Sequence, residues 1–270
     1  MLPLLQDTEG RIFMSKIKDA FKNGKAFIPF VTAGDPDLDT TEKLLIGMSE
    51  NGADIIEIGI PFSDPIAEGV VIQEADLRSL AAGTTTDKIF DMVASLRKKT
   101  DVPIVFLGYL NTMFVYGYEK FCKRCQECGV DGLIVPDLPY EEKGELVPIA
   151  KAHGVDVITM IAPTSKQRIE MLAKEATGFI YVVSSMGVTG ARSEIKTDLA
   201  EIVEVIRGVT DTPVAIGFGI NTKEQVAKYS AVADGAIVGS AIVKIIAQYG
   251  ENAGKKLHEY VEEMVSGLQK

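Results

Sequence analysis

Histidine is nearly absent: the 270 residues contain two, His153 and His258, both in segments of helical periodicity away from the loops rich in acids and glycines. A histidine triad or a histidine metal site has no support, and both rings are read as surface residues. Cysteine is as sparse, with Cys122, Cys125 and Cys128 in one helical stretch, 118–128. Spacings of three lay the sulfurs along one helix side, and no fourth cysteine or nearby histidine completes a shell. The expectation is no metal, and reduced thiols packed as small apolar groups. No lysine stands alone inside an apolar strand, as a Schiff-base lysine would. A basic block is missing too: the net charge of −10 is spread over mixed-sign stretches such as Arg97-Lys98-Lys99 and Glu141-Glu142-Lys143, so nucleic acid is not an expected partner. No run of about 18 apolar residues exists to span a bilayer, and residues 1–7 lack a charged region and a cleavage site. The expectation is a cytoplasmic protein without membrane contact.

What is present is apolar and periodic. With 46% hydrophobic residues the chain can bury a full core, and its length suits one α/β barrel, so residues 1–270 are read as a single domain. Short β-branched runs alternate with longer amphipathic segments, the pattern of repeated βα units. Eight runs are expected as strands: 27–31, 55–60, 104–109, 132–136, 155–161, 179–184, 214–219 and 236–239. Apolar residues recur at helical spacing between them, as in 41–48, 89–96, 199–206 and 257–264. Eight units without a long structureless linker favour a closed (β/α)₈ TIM barrel with extra helices, an open doubly wound sheet being the alternative. Two connections exceed a bare repeat. Residues 63–86 hold a helix-like piece at 73–80, and Ser185-Met186-Gly187-Val188-Thr189-Gly190-Ala191-Arg192 is rich in small residues. Barrel chemistry sits in such loops after strands.

In the second run, period two sets Glu57 on one face with Ile55 and Gly59, and Ile56, Ile58 and Ile60 on the other. The isoleucine face should meet the helices, so Glu57 should point into the barrel near its top. Lost solvent there raises a carboxyl pKa and suits it to proton transfer near neutral pH; a structural carboxylate paired to a base is the alternative. The loop that follows brings Asp64 and Glu68 to the same mouth. Asp64, before Pro65, also fits a turn, whereas Glu68 between Ala67 and Gly69 can reach a ligand. Ile216-Gly217-Phe218-Gly219-Ile220 and Val238-Gly239-Ser240-Ala241-Ile242, with Gly190, let backbone N–H groups approach an anion. A helix starting at Ser240 would point its positive end the same way, and barrels often bind phosphate there.

Taken in order, Phe27-Ile28-Pro29-Phe30-Val31-Thr32-Ala33-Gly34-Asp35-Pro36, Glu57-Ile58-Gly59-Ile60-Pro61-Phe62-Ser63-Asp64-Pro65, Pro136-Asp137-Leu138-Pro139 and Gly187-Val188-Thr189-Gly190-Ala191 resemble the signature segments of the tryptophan synthase alpha chain family. The resemblance runs from about Phe27 to the last helix. It implies a lyase that cleaves indole-3-glycerol phosphate into indole and glyceraldehyde 3-phosphate by a retro-aldol reaction without metal or organic cofactor, in an α₂β₂ assembly with a beta chain. By the same resemblance Glu57 is the acid/base glutamate and Tyr181 borders the catalytic pocket. Phe30 and Leu107 contact the indole ring, and Thr189 lies in a loop that closes on substrate. Gly190, Phe218, Gly219, Gly239 and Ser240 cradle the phosphate, and Pro61, Asp64 and Asn111 face the beta chain.

The chain departs from the family's Ser-Asp-Pro-Leu-Ala-Asp-Gly-Pro. Glu68 stands for the second aspartate, which binds the indole N–H, and Val70 for the proline; Glu74 stands where asparagine is common. Three other readings stay open on sequence: an alpha-like subunit of weakened activity that docks on and activates a beta chain, a stand-alone indole-3-glycerol phosphate lyase, and another phosphate-binding barrel of the same pathway, which the ordered motifs disfavour.

Overall fold

The structure, a computed structural model, describes residues 15–183, 199–217 and 219–268. Parallel strands alternate with helices around a barrel. They run β1 (Ala26–Thr32), α1 (Leu38–Glu50), β2 (Ile56–Gly59), α2 (Val70–Ala81), α3 (Thr86–Leu96), β3 (Ile104–Leu107), α4 (Leu110–Tyr116), α5 (Tyr118–Cys128) and β4 (Gly132–Ile134). Then come α6 (Val147–Ala152), β5 (Asp156–Val157), β6 (Thr159–Ile161), α7 (Lys166–Ala173), β7 (Ile180–Val183), α8 (Leu199–Arg207), β8 (Val214–Gly217), α9 (Lys223–Ser230), β9 (Gly235–Val238), α10 (Ser240–Tyr249) and α11 (Gly254–Val265).

Among the described residues nine strands appear where eight runs are expected, because the fifth run, 155–161, is divided at Ile158. Its first half pairs with β4 and its second with β7. The sheet order β5-β4-β3-β2-β1-β9-β8-β7-β6 therefore begins and ends within one continuous stretch of chain. The Ile158 N–H still donates to the Leu133 carbonyl at 2.8 Å, so the seam lies inside a single strand run and the architecture is the eightfold barrel.

Alternation along the strands makes two separate cores. Ile56, Ile58 and Ile60 pack outward with the helix residues Leu44, Leu45, Met48, Ile89 and Val93. Ile28, Ile55, Val105, Ile134, Phe179, Ala215 and Ile237 fill the barrel interior. Ile17, in a short 3₁₀ turn at Ile17–Phe21, closes the bottom of that interior and is itself fully buried. Buried Asp131 anchors this plug: it accepts from the Lys16 N–H at 2.8 Å and the Ile104 N–H at 3.0 Å, and lies 3.4 Å from Arg97.

Helix ends follow their sequence signals. Asp37, Thr85, Ser165 and Thr222 accept backbone N–H groups as N-caps, Thr222 in a reciprocal capping box with Gln225. The helical piece expected at 73–80 extends back to Val70, whose side chain is exposed at the first helical position. The three cysteines lie buried as free thiols on α5, packed into the outer core.

The two histidines are not surface residues. His153 is buried at the end of α6, its ring nitrogens 2.8 Å from Gln126 Oε1 and 2.9 Å from Glu119 Oε1, which ties α6 to α5. His258 is half-buried on α11, laid over Gly47 so closely that a Cβ there would sit 1.7 Å from its Nε2. Helical periodicity reports a helix, but the pairing of one helix face with another is set only on docking.

Asp131→Ala leaves two backbone donors and a partly buried guanidinium without their shared acceptor, so it should destabilise the fold by about 3 kcal/mol. Urea unfolding at pH 7 checks this; a loss below about 1 kcal/mol, within the worth of one ordinary hydrogen bond, would show the plug is held by Ile17 packing alone.

Candidate active site

The lower interior is filled with side chains, but the upper layer is not. Gly59, Gly217 and Gly239 stand at the strand ends where larger residues would meet the pocket side chains. A Cβ at Gly59 would lie 2.6 Å from the Phe30 ring, one at Gly239 3.3 Å from the same ring, and one at Gly217 2.3 Å from the Tyr181 hydroxyl. With Phe30 and Tyr181 seated in the room these glycines leave, a cavity of about 640 Å³, solvent in its open mouth included, lies above the filled interior.

Strand register sets its walls. Phe30 on β1 is the partner of Glu57 on β2, while Leu107 on β3 is the partner of Gly59, two residues beyond Glu57, and Phe30, Glu57 and Leu107 all face the cavity. Tyr181 on β7 pairs with Met160 on β6, and both face the cavity. On the side of β8 and β9, Gly219, Gly239, Ser240 and Ala241 form a further wall. Gly219 has φ of +87°, a conformation that glycine adopts without strain. Gly239 is the N-cap of α10, whose first turn carries no side-chain cap. Its leading N–H groups and positive dipole end are thus available to an anion.

Eleven of the expected site residues fall on this site or its rim. Glu57, Glu68, Tyr181, Phe30, Leu107, Gly219, Gly239 and Ser240 line the cavity. Asp64 and Asn111 are exposed on neighbouring elements, the β2–α2 loop and α4, while Pro61 is buried at the root of that loop. Exposed Ile66, Phe114 and Val115 lie on the same two elements. Thr189, Gly190 and Phe218 lie outside the described residues.

Glu57 is 2% exposed and its Oε2 has no hydrogen-bond partner among the described residues. Burial first, and the neighbouring Glu68 charge second, push its carboxyl up to about 8. Burial and these same two acids hold the Tyr181 hydroxyl well above its ordinary range. Among the described residues no basic side chain lines the cavity. Such a carboxyl keeps its proton at neutral pH and can give it to a substrate atom.

The β2–α2 loop is held from below. The Tyr109 hydroxyl accepts the Ala67 N–H at 2.9 Å, its ring stacks on Phe62 at 5.2 Å, and the Gln73 amide donates to the Glu68 carbonyl at 2.7 Å. Glu68 itself is buried against the cavity.

Sequence reasoning missed Ile72, Pro136, Met160, Ile220 and Ile237, which complete the apolar lining. It also missed Asp76, a buried acid of α2 beside the loop, pushed up to about 8 by burial and then by the Glu68 charge. A signal existed: Ile72, Ala75, Asp76 and Ser79, the buried residues of α2, recur at spacings of three and four, which puts an acid on the inward stripe.

Comparison with known proteins bears directly on this geometry. The profile of the family described as "Tryptophan synthase alpha chain" matches residues 15–269. The chain is 52% identical to the tryptophan synthase alpha chain of Lacticaseibacillus casei over 94% of its own length and 95% of that protein's. It is 48% identical to that of Lactiplantibacillus plantarum, covering 94% and 97%. Among solved structures it is similar to tryptophan synthase of Mycobacterium tuberculosis, with a TM-score of 0.86 at 30% identity over 96% of this chain and all of that one. It is also similar to a chain of the tryptophan synthase complex of Pyrococcus furiosus, with a TM-score of 0.82 at 35% identity, covering 90% and 99%.

Two buried carboxyls with raised pKa values set a pH dependence of stability. Glu57 and Asp76 keep their protons in the folded chain up to about pH 8, whereas unfolded carboxyls ionise near about pH 4. Between those values the folded state binds more protons, so unfolding free energy falls as pH rises through the window. Glu57→Gln removes one group from this balance and should raise stability at pH 8, relative to wild type, by on the order of a few kcal/mol, with little gain at pH 4.5. Urea melts at both pH values measure it; parallel profiles for the two proteins would contradict the buried-acid assignment.

Proposed function

This chain belongs to the tryptophan synthase alpha chain family, and from that membership we propose how its own residues carry the reaction. It is a lyase that cleaves indole-3-glycerol phosphate into indole and glyceraldehyde 3-phosphate, working as the alpha subunit beside a beta chain. We take the chain to act as one cytoplasmic domain, which is consistent with the lack, among the described residues, of a helix long and apolar enough to cross a membrane.

The observation that carries the assignment is Glu57, a protonated carboxyl with an unpartnered oxygen facing an apolar slot. Phe30 and Leu107 offer that slot an aromatic and an aliphatic wall for an indole ring. Protonation of the ring at C3 creates an indolenine, whose cationic C=N accepts the electron pair of the bond to the side chain. As that bond breaks, the 3′-hydroxyl loses its proton and becomes an aldehyde, and the ring regains aromaticity as indole. Glu57 moves these protons, and the Glu68 carboxylate lies where it can balance charge growing on the ring nitrogen. The phosphate end rests against Gly219, Gly239 and the start of α10 at Ser240, with Gly190 and Phe218 assigned to the same cradle and Thr189 to a closing loop. Tyr181 borders the reacting centre. Pro61, Asp64 and Asn111 mark the side that meets the beta chain, and the exposed Ile66, Phe114 and Val115 beside them supply apolar surface for it.

The departure at Glu68 is read as a working adaptation. Its buried place on the cavity and the contacts that set its loop support a backbone suited to the longer acid. Val70 has no such role: it is the exposed first residue of α2, after a Gly69 whose φ of −81° and ψ of 169° are those that precede proline freely.

Glu57→Gln should fold and bind glycerol phosphate as wild type does while losing about 10²- to 10⁴-fold in indole release, the range for removal of a proton-transfer group. Indole assay with and without a beta chain tests it, and near-normal turnover would remove Glu57 from the reaction. In the same assay Glu68→Asp should lower turnover about tenfold, since a carboxylate withdrawn by roughly 1.5 Å no longer reaches its place. Val70→Pro should leave it unchanged. A rise in the Glu68→Asp/Val70→Pro double variant would mean a handicapped enzyme, and no activity in any of these proteins would favour a docking subunit.

A further inference from the structure

The fifth strand run parts from β4 before it reaches the top of the barrel. Their pairing ends where the Ile158 N–H donates to the Leu133 carbonyl at 2.8 Å. Beyond that bond β6 pairs with β7 alone, and the Val135 carbonyl accepts the Leu138 N–H at 3.1 Å instead of a strand partner. A gap is left in the barrel wall, with Val135 and Pro136 on one edge and Thr159 and Met160 on the other. Pro136 and Met160 border the active cavity and also a second pocket, whose other walls include Leu138, Val157 and Leu172. Met160 packs with the inner core beside Tyr181, its β7 partner. The second pocket has a roof. Tyr140, in the β4–α6 loop, has the Lys143 Nζ 3.9 Å and the Arg168 guanidinium 5.8 Å from its ring centre, and its hydroxyl donates to Glu175 at 3.0 Å. Lys143 pairs with Glu175 at 2.6 Å and Arg168 with both oxygens of Glu141, so the loop is strapped to α7 and to the residues just after it.

We propose that this gap is a side window of the active cavity and that Met160, standing at it, limits the size of the aromatic ring the cavity accepts; the pocket behind is a latent subsite for an apolar substituent on that ring. This rests on the ring lying against Phe30 and Leu107, as proposed above. Around the barrel, Leu107 of β3 is followed by Pro136 after β4, Met160 of β6 and Tyr181 of β7. The window therefore opens beside the wall that holds the ring, and not in the β8–β9 wall given to the phosphate. Both sides of it are apolar, so a substituent that crosses leaves Leu107 and Pro136 for Leu138, Val157 and Leu172 without meeting a polar barrier. The strand ladder has already ended at Leu133, so the passage breaks no backbone hydrogen bond between the two runs. Methionine, unbranched with three rotatable bonds, yields more readily than any β-branched residue of its bulk. The charged groups of the roof satisfy one another at the outer rim and stay paired.

Indole-3-glycerol phosphates bearing a methoxy or phenyl group at each free carbon of the six-membered ring, assayed with the full chain and a beta chain, test this. Met160→Ala should raise kcat/KM for the substituted substrates, relative to the unsubstituted one, by about 10- to 100-fold, the scale on which an apolar pocket discriminates a methylene or two. The gain should appear only at the adjacent ring carbons that face the window. Met160→Ile keeps the bulk but stiffens the side chain, and should lower the same ratio below that of wild type. Affinity for glycerol phosphate should be unchanged in both variants. An equal gain at every ring carbon would mean a loosened cavity without a window and overturns the proposal, as does the lack of a gain at any carbon while glycerol phosphate still binds. Phe30→Leu and Leu107→Ala separate the two readings: if neither alters KM for the unsubstituted substrate, the ring lies elsewhere, and that reading fails together with the window. If they raise KM and Met160→Ala brings no gain, the window alone is overturned. Where Met160→Ala does not fold, a Met160→Ile ratio equal to that of wild type overturns it.

Discussion

The chemistry of this barrel depends on a change in how its interior is filled from bottom to top. A closed ring of eight strand runs points alternate side chains inward, and close packing demands that they fill the space. Ile17, Ile28, Ile55, Val105 and Phe179 do so below. Above them, glycines at 59, 217 and 239 withhold side chains where the Phe30 ring and the Tyr181 hydroxyl need room. The cavity lies where those glycines let the Phe30 and Tyr181 side chains settle along its wall, and the rigidity of the filled layers beneath keeps its walls in place.

Electrostatics follow from that enclosure. Glu57, Glu68 and Asp76 are all buried around or beside the cavity. In water three such acids would each carry a charge at neutral pH; in a space with little solvent they compete, and protons distribute among them as a coupled set. The raised values of Glu57 and Asp76 share burial as the main cause and Glu68 as the second. One site can therefore present a proton donor and an anion side by side, which a cleavage that protonates a ring carbon and leaves charge on its nitrogen requires.

The departures from the family pattern sort by depth. Glu68 faces the cavity, so its extra methylene bears on alignment, and the tied loop is where such a change is absorbed. Val70 faces solvent at the start of α2, where losing a proline changes the freedom of the unfolded chain more than any contact of the folded one.

Much of this was legible along the chain. Period two in 53–60 set Glu57 apart from the isoleucines that meet the helices, and the structure has them on opposite sides of the strand. The helix of the three cysteines, the start of α10 at Ser240 and the nonuniform β2–α2 connection follow from local periodicity, glycine and capping signals, which neighbouring residues alone supply. What local signals do not contain is which faces meet. The division of the fifth run at Ile158 is a matter of strand stagger around a closed ring, the burial of His153 depends on two helices docking through Gln126 and Glu119, and Asp76 becomes a neighbour of Glu68 only when α2 folds back over the barrel mouth. The sequence by itself determined the elements and their inward residues, since φ/ψ preference and periodicity act over a few positions. Tertiary structure alone decided the seam, the cavity and the shared protons, because packing and desolvation act between segments that the chain keeps far apart.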